Sequence, residues 1–330
     1  MAVIDVRELT AHYILGLYGR KKEISAVDNV SFGINKNEIL GIAGESGCGK
    51  TTLIKVLFGM VKLPLIVLGG SVTYNFGNSS IDLLSSEASD TDSIGWQDVS
   101  YIPQGSMSVL NPVRRIESTF RDFIETNLPP EEKDEYERLV KDQLFILGLP
   151  FEVLKSYPHQ LSGGMRQRVI IALATVLKPR VIFADEPSSA LDVVAQRGVI
   201  QLLKKIQREQ QNIMVLVSHD MGIHANLTDR VAIMYAGNIV EEARTKDIFK
   251  GALHPYTKYL IGSLPKVGDK LYKASVPGPP PPLANPPKGC RFHPRCPHAL
   301  DICRGDPPMF VDAGDGHKVA CSFVAKEMGL

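Results

Sequence analysis

The chain has 330 residues, 44 % hydrophobic and 22 % charged, with 37 Lys and Arg against 36 Asp and Glu and a net charge of +1. This is a globular balance for one large or two ordinary domains, and it excludes a disordered chain, a coiled coil and a disulfide-stapled miniprotein. A near-neutral chain has no global attraction to nucleic acid or anionic lipid, and no apolar run approaches the roughly 18 residues that span a bilayer.

Met1 to Thr10 mixes charge into its first residues and has no apolar signal core, so a cytoplasmic protein is expected, with any membrane role reached through a partner. Residues 37–60 read as strand, tight loop and helix. The apolar run Ile39, Leu40, Ile42, Ala43 leads into Gly44-Glu45-Ser46-Gly47-Cys48-Gly49-Lys50-Thr51-Thr52, and Leu53, Ile54, Leu57 and Phe58 follow at helical spacing. Residues 75–98 are polar and Ser/Asp-rich and read as a loop-rich excursion. Over residues 113–157 a helical reading puts Glu131 to Glu135 on a solvated face and Leu139, Val140, Leu144, Phe145 and Leu147 on an apolar stripe. A further helix is predicted over 165–177. The runs Val181–Ala184 and Ile213–Val217 suit buried parallel strands, and their alternation with helices argues for an α/β sheet. Seven prolines between Val276 and Lys288 read as a stiff linker. Beyond it stand four of the five cysteines, which in a chain with no secretion signal suggest metal binding before disulfides.

Three elements carry phosphate chemistry. Gly44-x-x-x-x-Gly49-Lys50-Thr51 has the spacing at which glycines let backbone N–H groups turn onto phosphates, with a helix N-terminus behind them. Lys50 would reach the β- and γ-phosphates and the Thr51 hydroxyl would ligate Mg²⁺. Val181 to Glu186 is an apolar strand ending in two acids: Asp185 would hold the metal through water, and Glu186 would be the general base toward an attacking water. Leu161-Ser162-Gly163-Gly164-Met165 precedes a helix and offers a second set of anion donors. Taken singly, the strand end reads equally well as structure, and an ordinary capped helix start is the lesser alternative for the five-residue string.

Together these elements resemble the ATP-binding cassette (ABC) ATPases. Gly44–Thr52, Gln104, Leu161–Met165, Val181–Glu186, Ser189-Ala190-Leu191-Asp192 and His219 stand in the order of that family, over about residues 1–265. The resemblance implies an α/β fold with a phosphate-loop core sheet, an antiparallel β subdomain and an α-helical subdomain at about 105–165, followed by a linker at 266–289 and a small Cys-rich C-terminal extension at 290–330. It implies head-to-tail pairing of two cassettes. Lys50, Thr51, Gln104, Asp185, Glu186 and His219, with Gly44, Ser46, Gly47, Cys48, Gly49 and Thr52 of the loop, would serve ATP and Mg²⁺ on this chain. Ser162, Gly163 and Gly164 would contact the γ-phosphate of ATP held by the partner, and Asp192 would help hold the pair together. The adenine-stacking aromatic is expected at Tyr18, with Tyr13 the alternative.

Ser108-Val109-Leu110-Asn111-Pro112, His254-Pro255-Tyr256-Thr257-Lys258-Tyr259-Leu260 and Cys290, Cys296, Cys303 and Cys321 resemble the ATPase subunits of dipeptide/oligopeptide (and nickel) ABC importers. Gly105-Ser106 and Ser188-Ser189 depart from the usual residues without removing a catalytic group. The implied partners are a second, homologous but different ATPase subunit, two transmembrane permease subunits and an extracytoplasmic solute-binding protein, with no nucleic acid. The implied place is the cytoplasmic face of the membrane. The cargo would be peptides, or alternatively oligosaccharides such as cellobiose, or nickel. A soluble ABC ATPase acting on nucleic acid or ribosomes would bring fused cassettes, a coiled coil or a basic arm, and the intact Glu186 argues against a non-catalytic regulatory cassette. The spacing C-x5-C-x6-C-x17-C leaves Zn²⁺, a [4Fe–4S] cluster, disulfides and free thiols open. The resemblance points to the [4Fe–4S] cluster, and Cys48 stays with the phosphate loop.

Overall fold

The computed structural model describes residues 2–17, 20–77, 79–85, 94–105, 109–128, 136–189, 191–264 and 276–329. Its strands are, in chain order, β1 (Ile4–Leu17), β2 (Arg20–Ile34), β3 (Ile39–Ala43), β4 (Leu65–Phe76), β5 (Ser79–Asp82), β6 (Val99–Ile102), β7 (Val181–Asp185), β8 (Ile213–Ser218), β9 (Arg230–Tyr235), β10 (Asn238–Arg244), β11 (Phe310–Asp312) and β12 (Lys318–Ala320). The chain divides into two units, Met1–Ser85 with Val217–Leu330, and Ser86–Leu216.

The first unit holds an antiparallel sheet in the order β2-β1-β4-β5. Alternation puts Ile4 and Val6 of β1 into the core, opposite Ile34 and Phe32 of β2 and Tyr74 and Val72 of β4. The phase then shifts, so that Leu9 and Ala11 are the buried residues further on. The cause is a bulge at Arg7 and Glu8, where Glu8 takes φ 47 and the register slips against both neighbours. Gly70 of β4 makes room for it: a Cβ there would lie 2.6 Å from the Arg7 carbonyl oxygen and from Leu9 Cα.

The same unit carries strands in the order β11-β12-β10-β9-β3. All five residues of β3 are buried, and it runs parallel to β9 with Leu40 opposite Arg230 and Ala43 opposite Ile233. A strand covered on both faces needs the unbroken apolar run that the sequence shows. β9 and β10 form a hairpin whose two-residue turn is Ala236-Gly237, both at positive φ (45 and 91), as the twist of a tight hairpin demands. The chain after the prolines is part of this unit, so the expected Cys-rich extension finds no support as an appended body. β12 pairs with β10, Glu241 opposite Val319, and β11 pairs with β12. Glu241 is fully buried, and its carboxylate accepts the N–H groups of Leu253 (2.7 Å) and His254 (2.9 Å) and faces His317 Nε2 at 2.7 Å.

In the second unit β6 runs parallel to β7, Val99 opposite Val181 and Ile102 opposite Ala184, with β8 on the other side of β7. The helix Ile116–Asn127 buries Ile116, Phe120 and Ile124, one residue per turn on a single face. The helix Tyr136–Ile146 buries Val140 and Leu144, but Phe145, expected on the same stripe, is 85 % exposed. One residue further along is a rotation of about 100°, which carries Phe145 off the face that Leu144 holds. Glu131 to Glu135 lie outside the described residues.

Two fully buried histidines set a pH dependence for the first unit. Burial pushes His224 and His254 down to about 4, against the smaller upward pulls of the Ser218 carbonyl and Asp220 on the first and of Glu241 on the second. Lys50 and Lys258 add downward pulls. The unfolded chain protonates each imidazole near the ordinary value of about 6.5, so between that pH and about 4 it holds more protons than the folded protein. Stability present above about pH 6.5 is therefore lost as pH falls, by about 1.4 kcal/mol per pH unit for each histidine. H224V should flatten the fall in urea midpoint between pH 6 and 4.5 by about one proton's worth relative to the parent.

Candidate functional site

The phosphate loop lies in the first unit, between buried β3 and the helix Lys50–Leu57. Gly44, Gly47 and Gly49 all take positive φ (156, 78 and 111). Two of them are also required by packing: a Cβ on Gly44 would run into the Met234 carbonyl oxygen, and one on Gly49 into that of Ala26. Cys48 closes the turn, its N–H donating to the Glu45 carbonyl (3.3 Å) and its own carbonyl accepting from Gly237 N–H (2.8 Å) at the β9–β10 turn. Burial pushes the Cys48 thiol up and Lys50 draws it down, in keeping with a packing role. Lys50 is buried, and its ammonium donates to the carbonyls of Gly44 (2.8 Å) and Glu45 (2.9 Å). Ser46 stands exposed between the glycines, and Thr51 is half-buried in the first turn of the helix. The Tyr13 and Thr52 hydroxyls are 3.3 Å apart, which ties Tyr13 to the helix start. Tyr18 lies outside the described residues, as do Ser108 and Ala190.

His219 follows β8 and is exposed at the start of a compact turn. The turn is pinned by Asp220 N–H to Ser218 Oγ (3.1 Å) and by Gly222 N–H to the Asp220 carboxylate (2.7 Å). His224 braces it from below, with Nε2–H donating to the Ser218 carbonyl (3.1 Å). That leaves Nδ1 as the unprotonated nitrogen, and it faces Gly41 of β3, where any Cβ would overlap it.

The carboxylates and the glycine-rich helix start lie in the second unit. Asp185 is fully buried at the end of β7 and accepts the Tyr101 hydroxyl at 3.1 Å. Burial, then the Asp185 charge, push the Tyr101 phenol up, so it stays protonated as a donor. Glu186 turns the chain at φ 47, a conformation that costs an L-residue about 1–2 kcal/mol. Because Ile102 is opposite Ala184, Gln104 and Glu186 leave the same edge of two parallel strands, each two residues past that pair. Ser162 caps the helix Gly163–Thr175, its hydroxyl accepting from Met165 N–H (3.3 Å). Asp192 caps Val193–Gln210 through Val194 and Ala195 N–H (3.0 and 2.9 Å). Both helix starts line one cavity of about 380 Å³ with Gly163, Gly164 and Arg168. The Gly163 start offers backbone N–H groups to that space, while Asp192 brings a carboxylate to it.

Cys290 and Cys296 pack against a core of Tyr235, Tyr256 and Phe292, while Cys303 and Cys321 are buried, and all four are free thiols. The four share one neighbourhood: burial, then the charges of Cys303, Cys321 and Cys296, push the Cys290 thiol up to about 12. Among the described residues no group of three or more His, Cys, Asp or Glu is placed to hold a metal ion. The geometry therefore gives the expected [4Fe–4S] cluster and its Zn²⁺ alternative no support, although the donor chemistry suits either.

The sequence reading missed His224, Tyr101 and Tyr256, whose hydroxyl accepts Glu45 N–H at 2.8 Å. Tyr101 and Tyr256 act through partners far along the chain, and His224 packs against Gly41 of β3 while bonding Ser218, so no local pattern marks them.

A family model described as ABC transporter matches residues 27–189, and one described as the oligopeptide/dipeptide transporter C-terminal region matches residues 240–303. The dipeptide transport ATP-binding protein DppD of Caldanaerobacter subterraneus is 39 % identical over 97 % of this chain and 96 % of its own. The chain belongs to the ABC transporter ATP-binding subunits of the oligopeptide/dipeptide type. DppD of Haemophilus influenzae is 36 % identical over 100 % of this chain and 98 % of its own, and the oligopeptide transport protein OppD of Salmonella typhimurium 34 % over 87 % and 85 %. Among solved structures, a dimeric ABC cassette in a post-hydrolysis state with ADP and phosphate aligns with TM-score 0.60 at 25 % identity, over 73 % of this chain and 98 % of that one. This ABC subunit is an ATPase of the α/β cassette fold.

The ABC phosphate loop can be tested through its glycines. Nothing lies within 4 Å of a Cβ on Gly47, so G47A should cost only the left-handed strain, about 1–2 kcal/mol. G49A adds overlap with a backbone carbonyl and should lose distinctly more. Thermal unfolding compares them, and equal losses would contradict the packing described for Gly49.

Proposed function

We propose that this ABC ATPase is the motor of an importer of di- and oligopeptides. The observation that carries the reading is the C-terminal match at residues 240–303 together with full-length relatives named for dipeptide transport. Those names favour peptides over oligosaccharides or nickel. Among the described residues no helix is long and apolar enough to cross a membrane, which suits a subunit that works through two permease subunits and a solute-binding protein on the far side.

ATP would lie on Gly44–Thr52, with Lys50 donating to its phosphate oxygens and Tyr18 or Tyr13 beside the adenine. Thr51, Gln104 and the buried Asp185 would hold Mg²⁺, which when bound neutralises charge on the phosphates. Glu186 would accept a proton from water as the water oxygen bonds to the γ-phosphorus and the bond to the β-phosphate oxygen breaks, releasing ADP and phosphate. Gln104 and His219 would orient the water and the γ-phosphate. Ser162, Gly163 and Gly164 would close on ATP held by a second, homologous ATPase subunit, which fits their opening on one cavity. Asp192 caps its own helix and would reach the partner from there.

The test is the assembled transporter with its binding protein. E186Q should lower ATP hydrolysis by about 10²–10⁴-fold with nucleotide retained, and peptides, not cellobiose or Ni²⁺, should stimulate the parent. Near-normal hydrolysis by E186Q would remove Glu186 from the base role, and stimulation by a sugar alone would replace the cargo.

We further infer that Cys290, Cys296, Cys303 and Cys321 carry a structural [4Fe–4S] cluster. Its support is the donor chemistry of four free cysteines in a segment with few other core residues, and the family resemblance that their order carries. Anaerobic purification should give iron and acid-labile sulfide in equal amounts with absorbance near ~400 nm. One equivalent of zinc without sulfide would make it a zinc site, and neither metal would end the proposal.

A further inference from the structure

Five bonds meet at Glu45 of the phosphate loop. Its N–H donates to the Tyr256 hydroxyl at 2.8 Å, and its carbonyl accepts from Lys50 Nζ at 2.9 Å and from Cys48 N–H at 3.3 Å. Its carboxylate takes a two-pronged fork from Arg295, Nη1 to Oε2 at 2.7 Å and Nη2 to Oε1 at 3.0 Å, across 250 residues of sequence.

Arg295 is almost wholly buried and uses every donor it has. Beyond the fork, Nη1 donates to the Tyr235 hydroxyl (3.2 Å), Nη2 to the Gly278 carbonyl (2.9 Å) and Nε to the Pro277 carbonyl (2.6 Å). These account for all five N–H groups of a guanidinium. A lysine, with three donors and no plane, cannot replace that set. Four residues earlier, Arg291 binds the Asp28 carboxylate and the Ala236 carbonyl. That places a second arginine of the same short segment on the β9–β10 turn, whose Gly237 holds the Cys48 carbonyl.

A carboxylate inside a loop built to gather phosphate charge opposes its ligand unless a cation neutralises it and fixes its direction. We propose that Arg295 is a positioning residue for nucleotide binding: the segment Gly289–Arg295 straps the phosphate loop, and the Arg295–Glu45 fork neutralises Glu45 and holds the loop in its phosphate-binding shape. The inference rests on the reading of Gly44–Thr52 as the ATP site. It gives the C-terminal segment a direct part in the motor, independent of what its cysteines hold. A fork that only anchored the segment would change stability and leave nucleotide affinity alone, which makes the two roles separable.

The experiment is titration of the full-length chain with a fluorescent ATP analogue and Mg²⁺, alongside thermal unfolding. R295Q should raise the Kd about tenfold, and R295K should fall between it and the parent, because the charge returns without the fork. Added to E45Q, the R295Q change should alter the Kd by less than about twofold, since no carboxylate charge remains to neutralise. Should R295Q not fold, R295K in the two backgrounds makes the same comparison. A Kd for R295Q within about twofold of the parent, with only the melting temperature lowered, would overturn the inference, as would equal Kd increments in both backgrounds. K50A binding as tightly as the parent would instead bring down the phosphate-loop reading, and the inference with it.

Discussion

The first unit is organised around backbone packed directly on backbone at the phosphate loop. Gly44 sits against the Met234 carbonyl and Gly49 against that of Ala26, so the loop is held between β9 and β2 with no side chain to act as spacer. Such contact leaves little freedom to re-aim the loop, and a loop that must present several N–H groups to one ligand gains from that rigidity. The Ala236-Gly237 turn closes the same contact, through the bond from Gly237 to Cys48. Strand pairing, hairpin geometry and the two glycines are therefore parts of one arrangement, and the lysine that follows enters a frame already set.

Charged groups buried in either unit draw their partners from that unit. Asp185 has the Tyr101 hydroxyl, Glu241 has two backbone N–H groups and His317, and Arg230 pairs with both Glu38 and Glu242. A buried charge left alone would cost several kcal/mol, so each of these sets binds together segments that must fold as one. The two buried histidines are kept neutral with one bond each: His224 donates to the Ser218 carbonyl and leaves Nδ1 unpartnered, and His254 accepts from Tyr256 N–H and leaves Nε2 unpartnered.

What was legible in the sequence is what chemistry forces into neighbouring positions. The phosphate loop must pack its glycines, lysine and hydroxyl into nine residues, and the carboxylates must follow a buried strand, so both were readable together with the family they resemble. Phe145 was misplaced because a one-residue step on a helix turns the side chain through about a quarter of a circle, which composition does not register. The bulge at Glu8 was invisible because its cause, the missing side chain of Gly70, sits on another strand. The cysteines advertised a metal by number and spacing, while the set of thiol positions depends on how β10, β12 and the turns between them pack.

Glu241 bears on how such a chain can change over time. Its carboxylate lies on β10, yet one of its three partners, His317, stands near the chain's end. A lineage that lost His317 would leave the buried carboxylate with two backbone N–H partners and no facing imidazole, so β10 and the segment carrying His317 are under pressure to drift in concert. An apolar residue at position 241 would remove that coupling and free the two segments to vary independently.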